Sequence, residues 1–336
     1  MENIKILKEI KYRNYSIDII KFIASIFIAT LHFNWKFIPQ GYLMVELFFI
    51  ISGIFIFLKR DKYYDSSIFS IIIRKIKNIY PFYILSMLLY LFLIKFNTTL
   101  SDIIMSILLI PDIGIGNRIM PGYLWFIGVY FYIYIFYLIL LKNTSEKSFI
   151  LLTYIIVFFT MSILYFYSEG ILNRTYENYI FFLPQGFYRG ILGIGIGIII
   201  GYFIQNKEIK KSTILTYTIE IIISIFILYF VFRNVTKEYD FISYFAFSLL
   251  LILIFIYDNR LLNYIGKKYN KLFSTYNVIY IFHGILILIL FKYNFKNTLI
   301  NLFIYIAILV SISILFKKIA AIITDRQTDR QTEINK

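Results

Sequence analysis

Apolar runs long enough to cross a bilayer recur along this chain, at roughly 16–37, 41–58, 79–96, 121–141, 148–167, 180–204, 213–232, 240–257, 274–293 and 298–316. About 20 apolar residues span the hydrocarbon core as a helix, and in lipid a helix satisfies its own backbone hydrogen bonds. The pattern therefore predicts an all-α protein: a polytopic transmembrane helix bundle with about ten spans. At 60% hydrophobic and 16% charged, the composition excludes a cytosolic enzyme, a disordered chain and a secreted disulfide scaffold. The chain has no cysteine, so disulfides, thiolate metal sites and cysteine nucleophiles are excluded, and no metal site is expected.

Basic residues set the orientation. With the N-terminus in the cytoplasm, 24 of the 34 Lys and Arg residues fall on the inner side and 8 on the outer side, and Lys21 and Arg189 lie within spans. A threefold excess predicts both termini cytoplasmic. The formal charge of +15 is thus read as topogenic, with a lipid bilayer and no nucleic acid as partner. The first run is long, carries Asp18 and Lys21, and lacks a small-residue cleavage site, so no cleavable signal peptide is expected. The expected domains are a cytoplasmic segment 1–15, a membrane domain 16–316 and a tail 317–336. The tail contains the polar repeat 324–332 and is expected to be disordered. The segment 101–110 is too short to span and is expected to be interfacial or re-entrant.

With 31 Tyr and 36 Phe in the chain, a single aromatic residue carries little information, whereas the two histidines, His32 and His283, stand out. In the first span Asp18, Lys21, Ser25 and His32 share one helical stripe, with Lys21 and His32 about 16 Å apart along the axis. Exposure of that stripe to lipid would be costly, so it is expected to face the bundle interior. Glu46 in the second span lies about as deep as His32, and the two are expected to meet. A carboxylate beside an imidazole orients one tautomer and raises its basicity. Arg189 in the sixth span requires a buried carboxylate or an anionic ligand. Gly190, Gly193, Gly195, Gly197 and Gly201 are read as helix packing; no strand precedes them, so dinucleotide binding is rejected. The loop 59–78, with Lys59, Arg60, Lys62, Arg74, Lys75 and Lys77, has two readings: topogenic charge and a clamp for phosphate.

The ordered motifs resemble those of the acyltransferase family 3 integral membrane proteins, which O-acylate cell-surface glycans. Lys21 and His32 match a basic-x10-His signature, and Val45-Glu46-Leu47-Phe48-Phe49-Ile50-Ile51-Ser52-Gly53 matches a second motif. Arg74, Lys75 and Lys77 precede Ile79-Tyr80-Pro81; Leu124-Trp125-Phe126 follows; and Tyr276, Tyr280 and His283 lie in a late Ser-Tyr-x-x-Tyr-like segment carrying one inserted residue. The chain departs from the pattern at Lys21 (many relatives have Arg), at Asn78 (a second basic residue in relatives) and at Tyr130 (often acidic).

The resemblance implies a membrane O-acyltransferase in a bacterial plasma membrane, with no bound cofactor and with acyl-CoA, acetyl-CoA first, as co-substrate. The acceptor would be a surface glycan or lipid-linked sugar. Under that reading His32 is the general base, Glu46 orients it, and His283 is a second acid/base candidate. Lys21, Arg74, Lys75, Arg189, Trp125 and Tyr280 bind substrate or acyl-CoA. Direct transfer and an acyl-histidine relay both remain open. The rival class is a transporter or flippase for a polysaccharide or lipid-linked sugar, which predicts internal repeats and interrupted helices in matching halves.

Overall fold

The computed structural model describes residues 14–94, 98–116, 119, 122–173, 178–205, 207–233 and 237–334. Among them the chain is all-α apart from four two-residue strands. Eight helical segments are long and apolar enough to cross a membrane, and two shorter apolar helices stand where the eighth and ninth spans are expected.

In chain order the helices are α1 (Tyr15–Phe33), α2 (Met44–Leu58, entered through a 3-10 turn at Gly41–Leu43), α3 (Arg60–Asp65), α4 (Ile68–Ile94) and α5 (Leu100–Ile107). They continue with α6 (Trp125–Asn143), α7 (Glu146–Ser168), α8 (Gln185–Ile204), α9 (Ile214–Phe232) and α10 (Ile242–Ile256). The last four are α11 (Arg260–Lys268), α12 (Asn270–Phe273), α13 (Tyr276–Lys292) and α14 (Leu299–Ile334).

Local chemistry fixes most of the helix starts. The Asn14 side chain caps α1 by accepting from the Ser16 amide, and its amide group donates to the Ile254 carbonyl, tying α1 to α10. Ser145 and Thr213 cap α7 and α9 in the same way. The sixth span begins later than its apolar run, because Tyr179–Ile180 and Leu183–Pro184 pair as a small antiparallel hairpin and Pro184 leads into α8.

One expectation is corrected. The segment 59–78 is not a loop: α4 starts at Ile68, so Arg74, Lys75 and Lys77 lie on a helix. The apolar run Ile68–Ile73 holds helical pattern ahead of the charges, and Pro81 is accommodated inside the helix. Helix α14 runs on to Ile334, through the 324–332 repeat, which contains neither Gly nor Pro to stop it. The 101–110 segment is a short helix, α5, with a 3-10 turn at Ile110–Ile113 behind it; Tyr83 donates to the Ser106 carbonyl and Tyr132 to the Leu108 carbonyl, at 2.9 and 2.7 Å.

The centre of the bundle is the pair α2–α8. The backbones touch at Gly53 and Gly197: a Cβ on either residue would collide with backbone of the other helix, at Ile194 or Ile50. Phe49 packs over Gly193, and Phe57 over Gly201. Small residues at four-residue spacing permit this approach, and dispersion between the two surfaces holds it. Around this pair, α6 and α7 pack on α8, while α1 packs on α13.

Candidate functional site

The polar stripe of α1 faces α13. Ser25 donates to the Tyr276 carbonyl at 2.9 Å, and the Lys21 ammonium lies 5.0 Å from the Tyr276 ring centroid. In the last turn of α1, the His32 ring lies 5.1 Å from that of His283, centroid to centroid. Both rings also touch Tyr123, whose centroid is 5.7 Å from His32 and 4.7 Å from His283. The two histidines, more than two hundred residues apart in sequence, therefore form one cluster.

Tyr280 holds the cluster together. Its hydroxyl donates to the Tyr123 carbonyl at 2.7 Å, and its carbonyl accepts from His283 Nδ1. A carbonyl can only accept, so His283 carries its proton on Nδ1 and presents a lone pair at Nε2. Among the described residues that buried Nε2 has no hydrogen-bond partner. Tyr123 is seated over Gly284, where any Cβ would collide with the phenol ring.

A cavity of about 1060 Å³ meets this cluster. His32, Tyr123, Tyr280, Trp125 and Arg189 line it, together with Asn34, Trp35, Lys36, Asn173 and Asn297 from the connecting segments. His32 is exposed to it, whereas His283 stands behind with no exposed surface. The cavity opens at the end of the bundle opposite Arg74 and Lys142.

The partner expected for His32 belongs to another residue. Glu46 is bound by Arg189: Nε donates to Oε1 at 2.6 Å, Nη2 makes a second ion-pair contact, and Tyr244 donates to Oε2. Both carboxylate oxygens are taken, and neither Glu46 nor Arg189 has any exposed surface. Glu46 points toward α8 because it lies two turns from Gly53, on the face that the glycine contact presses against that helix. Of the two readings of Arg189, the buried carboxylate is the one the structure supplies. The guanidinium also lies 4.9 Å from the Trp125 ring, and its Nη1 is buried without a partner among the described residues.

Beside this network, and two residues ahead of α10, the buried Asp240 carboxylate accepts from the Tyr42 hydroxyl at 2.8 and 2.9 Å and from the Leu172 amide at 2.8 Å. Burial pushes its carboxyl up to about 6, against the opposing pull of those two donors.

At the other end of the bundle, adjacent basic residues diverge by one helical step. Arg74 is exposed, with its guanidinium over Ser70 and Ser66. Lys75 turns inward, donating to the Tyr130 hydroxyl and lying 3.7 Å from the Tyr134 ring centroid. The phosphate clamp expected from Arg74 and Lys75 is thus split into one outward and one inward cation. An aromatic column of Tyr276, Phe48, Phe126 and Tyr280 runs from Lys21 to the histidine cluster, with successive centroids 5.4 to 6.1 Å apart. Among the described residues no three His, Asp or Glu gather to hold a metal.

The structure adds Tyr123, Tyr244, Tyr42 and Asp240 to the site. Only Tyr123 had a sequence signal, standing directly before Leu124-Trp125-Phe126. In comparisons with known proteins, the family described as an acyltransferase domain matches residues 14–318. No curated protein and no solved structure matches the chain.

Proposed function

The chain belongs to acyltransferase family 3 over nearly its whole length, and from that premise we propose that this multi-pass membrane acyltransferase is an O-acyltransferase. It takes an acyl group, acetyl first, from acyl-CoA and transfers it to a hydroxyl of a cell-surface polysaccharide or lipid-linked sugar. Its place is the plasma membrane of a bacterium, with the Arg74 end in the cytoplasm.

The observation that carries this reading is the His32–His283 cluster, with His32 on the wall of a large cavity. Toward the cavity mouth, Trp35, Asn34 and Asn173 offer an aromatic face and amide groups, the chemistry that suits a sugar. On the other side, Arg74, Lys75 and Lys21 offer cations for the phosphates of coenzyme A, and the aromatic column leads its thioester arm toward the histidines. His32, exposed to the cavity, takes the proton of the acceptor hydroxyl. The hydroxyl oxygen attacks the thioester carbonyl, and the thiolate leaves with that proton. Glu46 acts at one remove: it fixes Arg189, whose free Nη1 is left for an oxygen of the acceptor.

The test is to incubate membranes bearing the protein with labelled acetyl-CoA and follow the label into glycan. Label in the glycan, lost with His32→Ala in a correctly inserted variant, supports the reading. No transfer from any acyl-CoA, with the wild type inserted and folded, overturns it.

A further inference from the structure

Tyr123 is held at every point except its hydroxyl. Its carbonyl is fixed by the Tyr280 hydroxyl, its ring sits over Gly284, and both imidazoles lie against its faces and edges. The hydroxyl itself is buried and has no hydrogen-bond partner among the described residues. Such a group is expensive to bury, and phenylalanine would fill the same space without the penalty. The ring forms part of the cavity wall beside His32, the residue that faces an incoming hydroxyl.

We propose that Tyr123 is a third catalytic group, whose phenol donates a hydrogen bond to the carbonyl oxygen of the acyl group as it becomes an oxyanion. The inference rests on the acyl-transfer reading above. The acceptor oxygen bonds to the carbonyl carbon while His32 removes its proton, and the carbonyl π pair moves onto oxygen. There it meets the O–H of Tyr123, a donor fixed in a site of low dielectric constant. When the pair returns, the C–S bond breaks; the thiolate departs as thiol with the proton from His32, and the ester remains. Tyr123 keeps its proton throughout. The role requires that the substrate-bound state open the buried hydroxyl to the cavity, past the His32 ring that lies against the phenol.

The experiment compares the full-length wild type with Tyr123→Phe in the same vesicles, measuring kcat, KM for acetyl-CoA, and Tm. Removal of one oxyanion donor should lower kcat by about 10²–10³-fold, with KM changed by less than about twofold. Tm should rise, because an unsatisfied buried hydroxyl is gone. Loss of activity with a lower Tm would mark Tyr123 as structural and overturn the proposal. Unchanged kcat would also overturn it, leaving acyl transfer itself intact. A wild type that transfers nothing from any acyl-CoA would instead bring down the acyl-transfer reading. Gly284→Ala, which keeps the phenol but displaces it from its seat, should lower kcat as well; a variant with normal kcat contradicts the required position.

Discussion

The guanidinium of Arg189 and the carboxylate of Glu46 form an ion pair in which neither side chain has exposed surface. Loss of one partner would strand a charge in the bundle, at a cost of about 3–5 kcal/mol. Arg189→Met and Glu46→Met should each therefore lower thermal stability strongly. The double variant should recover most of the loss, since two apolar side chains can fill the same volume. Melting curves of the four proteins in one detergent check this; additive losses in the double variant would contradict the pairing.

The histidine cluster makes a second prediction. His32→Ala and His283→Ala should each lower acyl transfer by about 10²–10⁴-fold. If only His283→Ala does so, the base is the ring whose Nε2 is left free by the Tyr280 carbonyl. Steady-state assays on inserted variants decide between the two.

At the opposite end, neutralising Arg74 and Lys75 together should raise KM for acyl-CoA about tenfold, as expected for lost charge-assisted contacts. The acceptor's KM should hardly move. Unchanged donor dependence would return both residues to a purely topogenic role.

Asp240 links stability to pH. Its folded-state carboxyl titrates near 6, above its ordinary value of 3.8, so between those values the folded protein holds a proton that the unfolded chain has released. Stability from this group is therefore present below about pH 4 and is lost as pH rises through 6. Asp240→Asn keeps an acceptor for Tyr42 and the Leu172 amide, and its Tm should lose that component of the decline between pH 4 and 6. Identical wild-type and variant profiles would refute the assignment.

The spans were legible because a bilayer sets their length, and every apolar run contains a helix at nearly the expected place. Depth along a helix was legible too: His32 and Glu46 do lie near the same end of the bundle. The direction in which Glu46 points was missed, although its signal was present. Glu46 and Gly53 are seven residues apart on one face, and Arg189 stands four residues before Gly193, so the small residues that seal α2 to α8 also aim the two charges at each other. The α1–α13 pairing had no such marker, and the joining of His32 to His283 is a tertiary fact. Tyr123 was masked by abundance: among 31 tyrosines, its place directly before Leu124-Trp125-Phe126 was the one local signal, and the lack of a partner for its hydroxyl is visible only in the fold.

The cavity also has an electrical consequence. A space of about 1060 Å³ lined by Lys36 and several asparagines is polar and roomy enough to hold water. Water there would carry a high dielectric inward as far as His32, and a membrane voltage would then drop mainly over the apolar part of the bundle beyond it, where Phe48, Phe126 and Tyr276 stack. A unit charge moved through the whole drop exchanges about 2.3 kcal/mol for every 100 mV. A charge moved between the histidines and Lys21 would cross part of that drop, so transfer steps that move charge along this path would respond to the membrane voltage.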